Sequence, residues 1–251
     1  MTNIILRGCN GKMGRVVTQL VNEDENVAIV AGIDLSTDGQ NTYPVFQSFS
    51  QCNIKADVII DFSSPVNVRD MLDFAIDRGI GIVLCTTGFT KKDLELIEEA
   101  SRLISILRSA NMSMGINLIT KLVKEAARVL AVSGFDIEIV EKHHNKKVDA
   151  PSGTALALAD AINDALNNSY EYVYDRTDIR APRQKKEIGI SAVRGGTIVG
   201  EHEIIFAGSD EVIEIKHTAY SKAIFAKGAI QAAKFLHGKP AGMYTMNDVI
   251  G

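Results

Sequence analysis

Apolar positions in the first half of the chain fall into short runs of two alternating kinds. Five runs are brief and nearly continuous, at residues 4–8, 28–34, 57–62, 81–85 and 104–109. Between them apolar residues recur at helical spacing, near 13–22, 66–78, 91–103 and 115–131. This βα alternation predicts a parallel sheet covered on both faces. Val58-Ile59-Ile60 is apolar at consecutive positions, as a strand buried on both faces requires.

The texture changes after Phe135. Residues 136–141 read Asp-Ile-Glu-Ile-Val-Glu, nearly alternating, so one face is wet. Further strands are predicted at 187–193, 197–206 and 211–217, joined by turns at Gly195-Gly196 and Gly208-Ser209. Strands with few helices between them suggest a mixed or antiparallel open sheet. The polar segment 170–186, with Pro182, reads as a long loop, and 223–236 as a helix rich in alanine and large apolar residues. There is no internal repeat or low-complexity tract. The fold class is therefore α/β: a Rossmann-type parallel sheet domain followed by an α+β domain with an open mixed sheet.

A chain of 251 residues, 46% hydrophobic, can bury a core in one or two domains. Its net charge of −4, from 27 basic and 31 acidic side chains, argues against nucleic acid or an anionic membrane as the main partner. Cys9, Cys52 and Cys85 are odd in number and lack paired spacing, which points to a reducing, cytoplasmic setting. The first residues run straight into a strand pattern, so no signal peptide is expected. The longest apolar runs are too short to cross a bilayer.

Against that acidic background the basic stretch 142–147 is a local feature and favours a small anionic ligand. His143, His144, Lys146 and Lys147 precede Pro151 and Ser152, which look like a helix start. Helix N-termini attract anions through free N–H groups and the helix dipole. A histidine beside them can give or take a proton near neutral pH. The alternative is a solvated basic turn before a capped helix. His143 and His144 are adjacent, so in an extended strand their rings point to opposite faces and do not chelate one metal. No metal is expected. The isolated His202, His217 and His237 read as structural.

Gly8-Cys9-Asn10-Gly11-Lys12-Met13-Gly14 lies between a predicted strand and helix. Glycines permit the tight turn and the close approach of backbone to a pyrophosphate. The spacing is G-x-x-G-x-x-G, which an ordinary glycine-rich turn could also show. Asp34 ends the second strand, 20 residues after Gly14, where a carboxylate would bind adenosine ribose hydroxyls. It favours NADH, because it repels a 2′-phosphate, and Leu35 and Ser36 offer no arginine to hold one. Lys12 could still reach that phosphate. Use of both NADH and NADPH is expected, with NADH at least as good.

The stretch His-His-x-x-Lys-x-Asp-Ala-Pro-Ser-Gly-Thr-Ala from His143 resembles the signature of the dihydrodipicolinate reductase family, and the glycine loop matches the variant that family uses. The resemblance covers essentially the whole chain, including Gly-Glu-His-Glu at 200–203 and the Gly-Met-Tyr-Thr-Met-Asn-Asp-Val near its end. Asn145, where the family has arginine or a similar residue, and Met112, where many members have phenylalanine, depart from it.

The resemblance implies a discontinuous dinucleotide-binding domain, residues 1–112 with 223–251, and a substrate-binding and oligomerisation domain, 113–222. It implies NAD(P)H-dependent reduction of 4-hydroxy-tetrahydrodipicolinate to tetrahydrodipicolinate with loss of water, in diaminopimelate and lysine biosynthesis, by a cytoplasmic homotetramer. His143 would be the general acid and Lys147 would bind substrate and stabilise developing charge. His144, Ser152, Gly153 and Thr154 would contact the dicarboxylate. The cofactor would meet Gly8, Cys9, Asn10, Gly11, Lys12, Met13 and Asp34, then Cys85, Thr86 and Thr87, then Ser109, Ala110, Asn111 and Met112. Two rival readings are a dehydrogenase of another small carboxylate and an NADH-binding sensor. The His/Lys stretch argues against the first. The second needs a partner-binding module, and no basic helix-turn-helix candidate is present.

Overall fold

Strand β1 (Thr2–Arg7) is apolar on both faces because it lies inside a parallel sheet. Its Ile4 and Leu6 enter one core cluster and Ile5 enters another. The computed structural model describes residues 1–109 and 111–251. After β1 come α1 (Lys12–Val21), β2 (Val27–Ile33), β3 (Val45–Phe46), β4 (Val58–Asp61), α2 (Val68–Arg78), β5 (Gly81–Leu84), α3 (Lys91–Ser101) and β6 (Ser105–Arg108). Then follow α4 (Met114–Leu130), β7 (Asp136–His143), α5 (Gly153–Ala165), β8 (Glu171–Val173), β9 (Glu187–Arg194), β10 (Gly200–Ala207) and β11 (Val212–Ala219). The chain ends with α6 (Ala223–Leu236), β12 (Gly242–Tyr244) and α7 (Met246–Ile250). It divides into two compact units, Met1–Met114 with Ala223–Gly251, and Gly115–Lys222.

The first unit holds seven parallel strands in the order β12-β6-β5-β4-β1-β2-β3. One face is covered by α1 and the alanine-rich α6, whose Ala226, Ala229 and Ala233 pack with Val58, Ile60 and Val83. The other face is covered by α2 and α3, through Met71, Leu72, Ala75 and Ile97. Strand order reverses between β1 and β4. In open α/β sheets the crevice at such a reversal, at the carboxyl ends of the strands, receives ligands. β3 and β12, of two and three residues, are too short to show periodicity in the sequence.

The second unit holds a mixed sheet in the order β11-β10-β7-β9-β8. β7 is antiparallel to β10 and parallel to β9. Helices α4 and α5 cover one face, burying Val123, Ala127, Leu158 and Ile162 against Ile137, Ile139, Ile190, Ile204 and Phe206. The opposite face carries ion pairs, including Lys216–Glu201 at 3.1 Å and Arg183–Glu138 at 3.3 Å.

Two local expectations are corrected. Segment 170–186 is not all loop, because Glu171–Val173 pairs in parallel with β9 at the sheet edge. Gly195-Gly196 does not close a hairpin, because β7 lies between β9 and β10 and the connection crosses its end. There Gly195 N–H donates to His143 O at 2.9 Å, and Asn145 N–H donates to Gly196 O at 3.2 Å. Gly208 does turn a hairpin, its N–H donating to Glu211 O at 2.8 Å between β10 and β11.

Candidate active site

In the first unit the loop after β1 packs its backbone where side chains cannot follow. A Cβ on Gly8, which has φ +80°, would stand 2.6 Å from Phe62 O. One on Gly14 would press on Gly8 O and stand 2.5 Å from Cys9 O. Helix α1 begins at Gly11 without a side-chain cap, whereas α3 and α5 are capped by Thr90 and Ser152. Its leading N–H groups are therefore left for a ligand. Beside this loop lies a cavity of about 660 Å³, lined among others by Gly8, Asn10, Gly11, Arg15, Asp34 and Ser63. These features suit a dinucleotide: a cradle that only glycine permits, an uncapped helix start and a strand-end carboxylate.

The predicted cofactor residues divide by what their side chains do. Asp34 braces the loop, accepting from Asn10 N–H at 2.9 Å and from Ser36 N–H at 3.3 Å. Asn10 reaches Ser36 O at 2.5 Å and accepts from Asn41 at 2.8 Å. Cys9 turns into the core, where burial, and then Asp34, push its thiol up to about 11. Met13 also packs against the core. Lys12 is exposed, and Arg15 lines the cavity together with the buried Arg7, the Arg15 Nε donating to Asn10 O at 3.1 Å.

Cys85 packs against the core, and burial followed by Asp61 raises its thiol well above the usual value. Thr86 is buried, its hydroxyl accepting from Ser63 N–H at 3.1 Å, while Thr87 is exposed. Ser109 donates to Asn111 O at 3.0 Å, and Asn111 Oδ1 accepts from Ser113 N–H at 2.9 Å. Met112 belongs to the core. Ala110 lies outside the described residues.

In the second unit the alternation of β7 continues past its apolar positions. Ile137, Ile139, Glu141 and His143 share the buried face, so a carboxylate occupies a core position at 0% exposure. Glu141 Oε1 and Oε2 accept from Arg194 at 2.7 and 2.8 Å. Oε1 also accepts from Ser152 N–H at 2.9 Å, and Oε2 lies 2.6 Å from His143 Nδ1. Burial opposes the carboxylate, but Arg194, His143 and Ser152 outweigh it and hold Glu141 below the usual carboxylate range.

His143 is 9% exposed, and its Nε2 lies toward Gly200, where a Cβ would stand 3.1 Å away. Lys147, on the turn after His144, pairs with Asp149 at 2.8 Å. That ammonium, then the backbone N–H groups of Asp149 itself and of Gly153, hold the Asp149 carboxyl below its usual range against burial. Gly153 opens α5, and a Cβ on it would meet nothing within 4 Å. An imidazole ring, an ammonium and a helix start thus occur on one continuous stretch of this unit. Among the described residues no group of three or more His, Cys, Asp or Glu side chains could hold a metal.

Two buried side chains make a contact the sequence did not reveal. Ser152, read there as a substrate contact, is 2% exposed; its hydroxyl accepts from Ala155 N–H at 3.2 Å and bonds His202 Nε2 at 2.9 Å. His202 in turn stands edge-on to His143, ring centroids 5.2 Å apart. Only its register, on the same buried face as Ile204 and Phe206, hints at this. Burial, and then the neighbouring His143, lower His202 from 6.5 to about 4.

That shift predicts an acid instability. Below pH 6.5 the unfolded chain takes up a proton that folded His202 refuses until about pH 4. Stability is therefore complete above 6.5 and falls through that window by about 3 kcal/mol. Urea midpoints at pH 7 and pH 4.5 should differ, and His202→Asn should flatten the slope between them. Equal wild-type midpoints would refute this.

A glycine cradle at the sheet's switch point, with a histidine–carboxylate pair beside a basic turn, defines a dinucleotide-binding α/β oxidoreductase. Residues 2–112 match the family model described as dihydrodipicolinate reductase, N-terminus, and residues 115–250 match its C-terminus. The 4-hydroxy-tetrahydrodipicolinate reductase of Caldanaerobacter subterraneus subsp. tengcongensis is 52% identical over 100% of this chain and 98% of its own. That of Clostridium novyi is 49% identical over the same shares. A dipicolinate-bound dihydrodipicolinate reductase from Paenisporosarcina sp. TG-14 has the same fold, with TM-score 0.84 at 24% identity over the whole of both chains. The chain belongs to the dihydrodipicolinate reductase family.

Proposed function

We propose that the chain reduces 4-hydroxy-tetrahydrodipicolinate to tetrahydrodipicolinate with NAD(P)H, releasing water, within diaminopimelate and lysine biosynthesis. The observation that carries this reading is the stretch from Glu141 to Thr154, where a carboxylate-backed histidine, a lysine and a small-residue helix start occur together. The nicotinamide, when bound, supplies the hydride. His143 delivers the proton from Nε2. Lys147 and the Gly153–Thr154 helix start hold one substrate carboxylate, and His144 contacts the other or the ring nitrogen. Ser152 supports Glu141 and His202 and does not touch substrate. The enzyme works as a cytoplasmic homotetramer, and its three cysteines, free of any disulfide, are in keeping with that setting.

Gly8, Asn10, Gly11 and Asp34 hold the dinucleotide, and both cofactors serve, NADH at least as well as NADPH. Arg15 rather than Lys12 is the cation available to a 2′-phosphate, since it is exposed on the cavity wall with Asp34 and Ser36, whereas Arg7 there is buried and paired with Asp61. Steady-state oxidation of each cofactor tests this. Arg15→Ala should lower kcat/KM for NADPH several-fold more than for NADH. A wild-type preference for NADPH above about tenfold, or 1.4 kcal/mol in the transition state, would overturn it.

A further inference from the structure

We propose that Glu141 is a positioning residue which fixes His143 with a proton on Nδ1, supports positive charge on the ring, and leaves Nε2 as the atom that transfers the proton. This rests on the reading of His143 as general acid. An ionised carboxylate only accepts hydrogen bonds. Glu141 is kept ionised by two charge-assisted bonds from Arg194, so the 2.6 Å contact with His143 requires the Nδ1 proton. In the neutral ring Nε2 is then the base, and in the charged ring it is the donor.

The clamp draws on three separate parts of the unit. Arg194 stands directly across from His143 in the β7–β9 register, Ser152 N–H comes from the start of α5, and Gly200 on β10 leaves room for the Nε2 edge. A carboxylate removed from water needs partners, and on the buried face of Ile137 and Ile139 Glu141 finds them in Arg194, Ser152 N–H and His143. The charged and titratable groups around the ring are Glu141, Arg194 and His202, with Lys147, Asp149 and His217 beyond them.

Glu141→Gln keeps shape and removes charge. Arg194 and Ser152 still claim the side-chain oxygen, so the amide NH₂ is turned toward Nδ1 and favours the opposite tautomer. The test uses ¹⁵N-histidine-labelled full-length protein; the chain has five histidines, and His143→Gln assigns the signal. In the wild type the neutral ring should carry its proton on Nδ1, and in Glu141→Gln on Nε2. In turnover, Glu141→Gln should lower kcat by at least about tenfold with little change in KM, toward the hundredfold scale of general acid–base groups. The alkaline limb of its pH profile, where a general acid loses its proton, should move, and Glu141→Asp should recover part of the loss. In a His143→Gln background Glu141→Gln should cost nothing further.

A wild-type ring protonated on Nε2 alone overturns the proposal, as does an undiminished loss in the His143→Gln background. If the wild type reduces no substrate, the functional reading fails, and the tautomer measurement still decides the role of Glu141. The wild-type spectrum decides it equally if Glu141→Gln does not fold.

Discussion

His143→Gln and Lys147→Ala each lower kcat/KM for substrate reduction by about a hundredfold or more, the scale of general acid–base and charge-stabilising groups. The two losses arise differently. Glutamine at 143 cannot carry a transferable proton, so kcat falls while substrate binding persists. Lys147 is partly exposed on a turn and pairs with Asp149 at 2.8 Å in the protein alone. Its removal takes away attraction for a substrate carboxylate and also bares the Asp149 carboxylate, which repels it. KM should therefore rise as kcat falls, and Lys147→Ala with Asp149→Asn should recover part of the binding loss. Cofactor oxidation, with substrate generated from pyruvate and aspartate semialdehyde by a coupling synthase, reads both parameters. Turnover within threefold of wild type in either variant would remove that residue from the mechanism.

Such a result would test residues that were visible in the sequence, whereas the group that equips His143 was not. His143 and Lys147 stand out by chemical type, and the parallel sheet by its unbroken apolar runs. Glu141 closes an alternating segment whose glutamates read as a wet face. Only the continuation of β7 to His143 puts Glu141 in phase with Ile137 and Ile139. Arg194 was hidden by topology. A hairpin at Gly195-Gly196 would have set β9 against β10, whereas β7 lies between them and brings Arg194 opposite His143. On the cofactor side, spacing identified Asp34, but not its bond to the glycine loop. The choice between Lys12 and Arg15 depended on which side chain curls back toward Asn10. Long-range pairing and side-chain direction decided each of these cases, and neither is written in local periodicity.

Gly14→Ala should weaken NADH binding by at least about a hundredfold, equivalent to about 2.8 kcal/mol. The added methyl would meet backbone, Gly8 O and Cys9 O, with no flexible side-chain end to move aside. Helix α1 cannot retreat, because Val17 and Val21 are buried against the sheet with Ile4 and Leu6. The loop must yield instead, and with it the Gly11 N–H bond to Gly8 O at 3.1 Å and the Asn10 N–H bond to Asp34. Overpacking of this kind costs about 1–3 kcal/mol in stability as well, so a urea midpoint should accompany the titration. Gly11→Ala provides the graded comparison: its Cβ would stand 3.2 Å from Gly8 O, close enough to strain the turn without forcing it open. The expected order of NADH affinity, followed by fluorescence, is wild type, then Gly11→Ala, then Gly14→Ala. A folded Gly14→Ala protein that binds NADH within threefold of wild type would mean that this loop does not hold the dinucleotide.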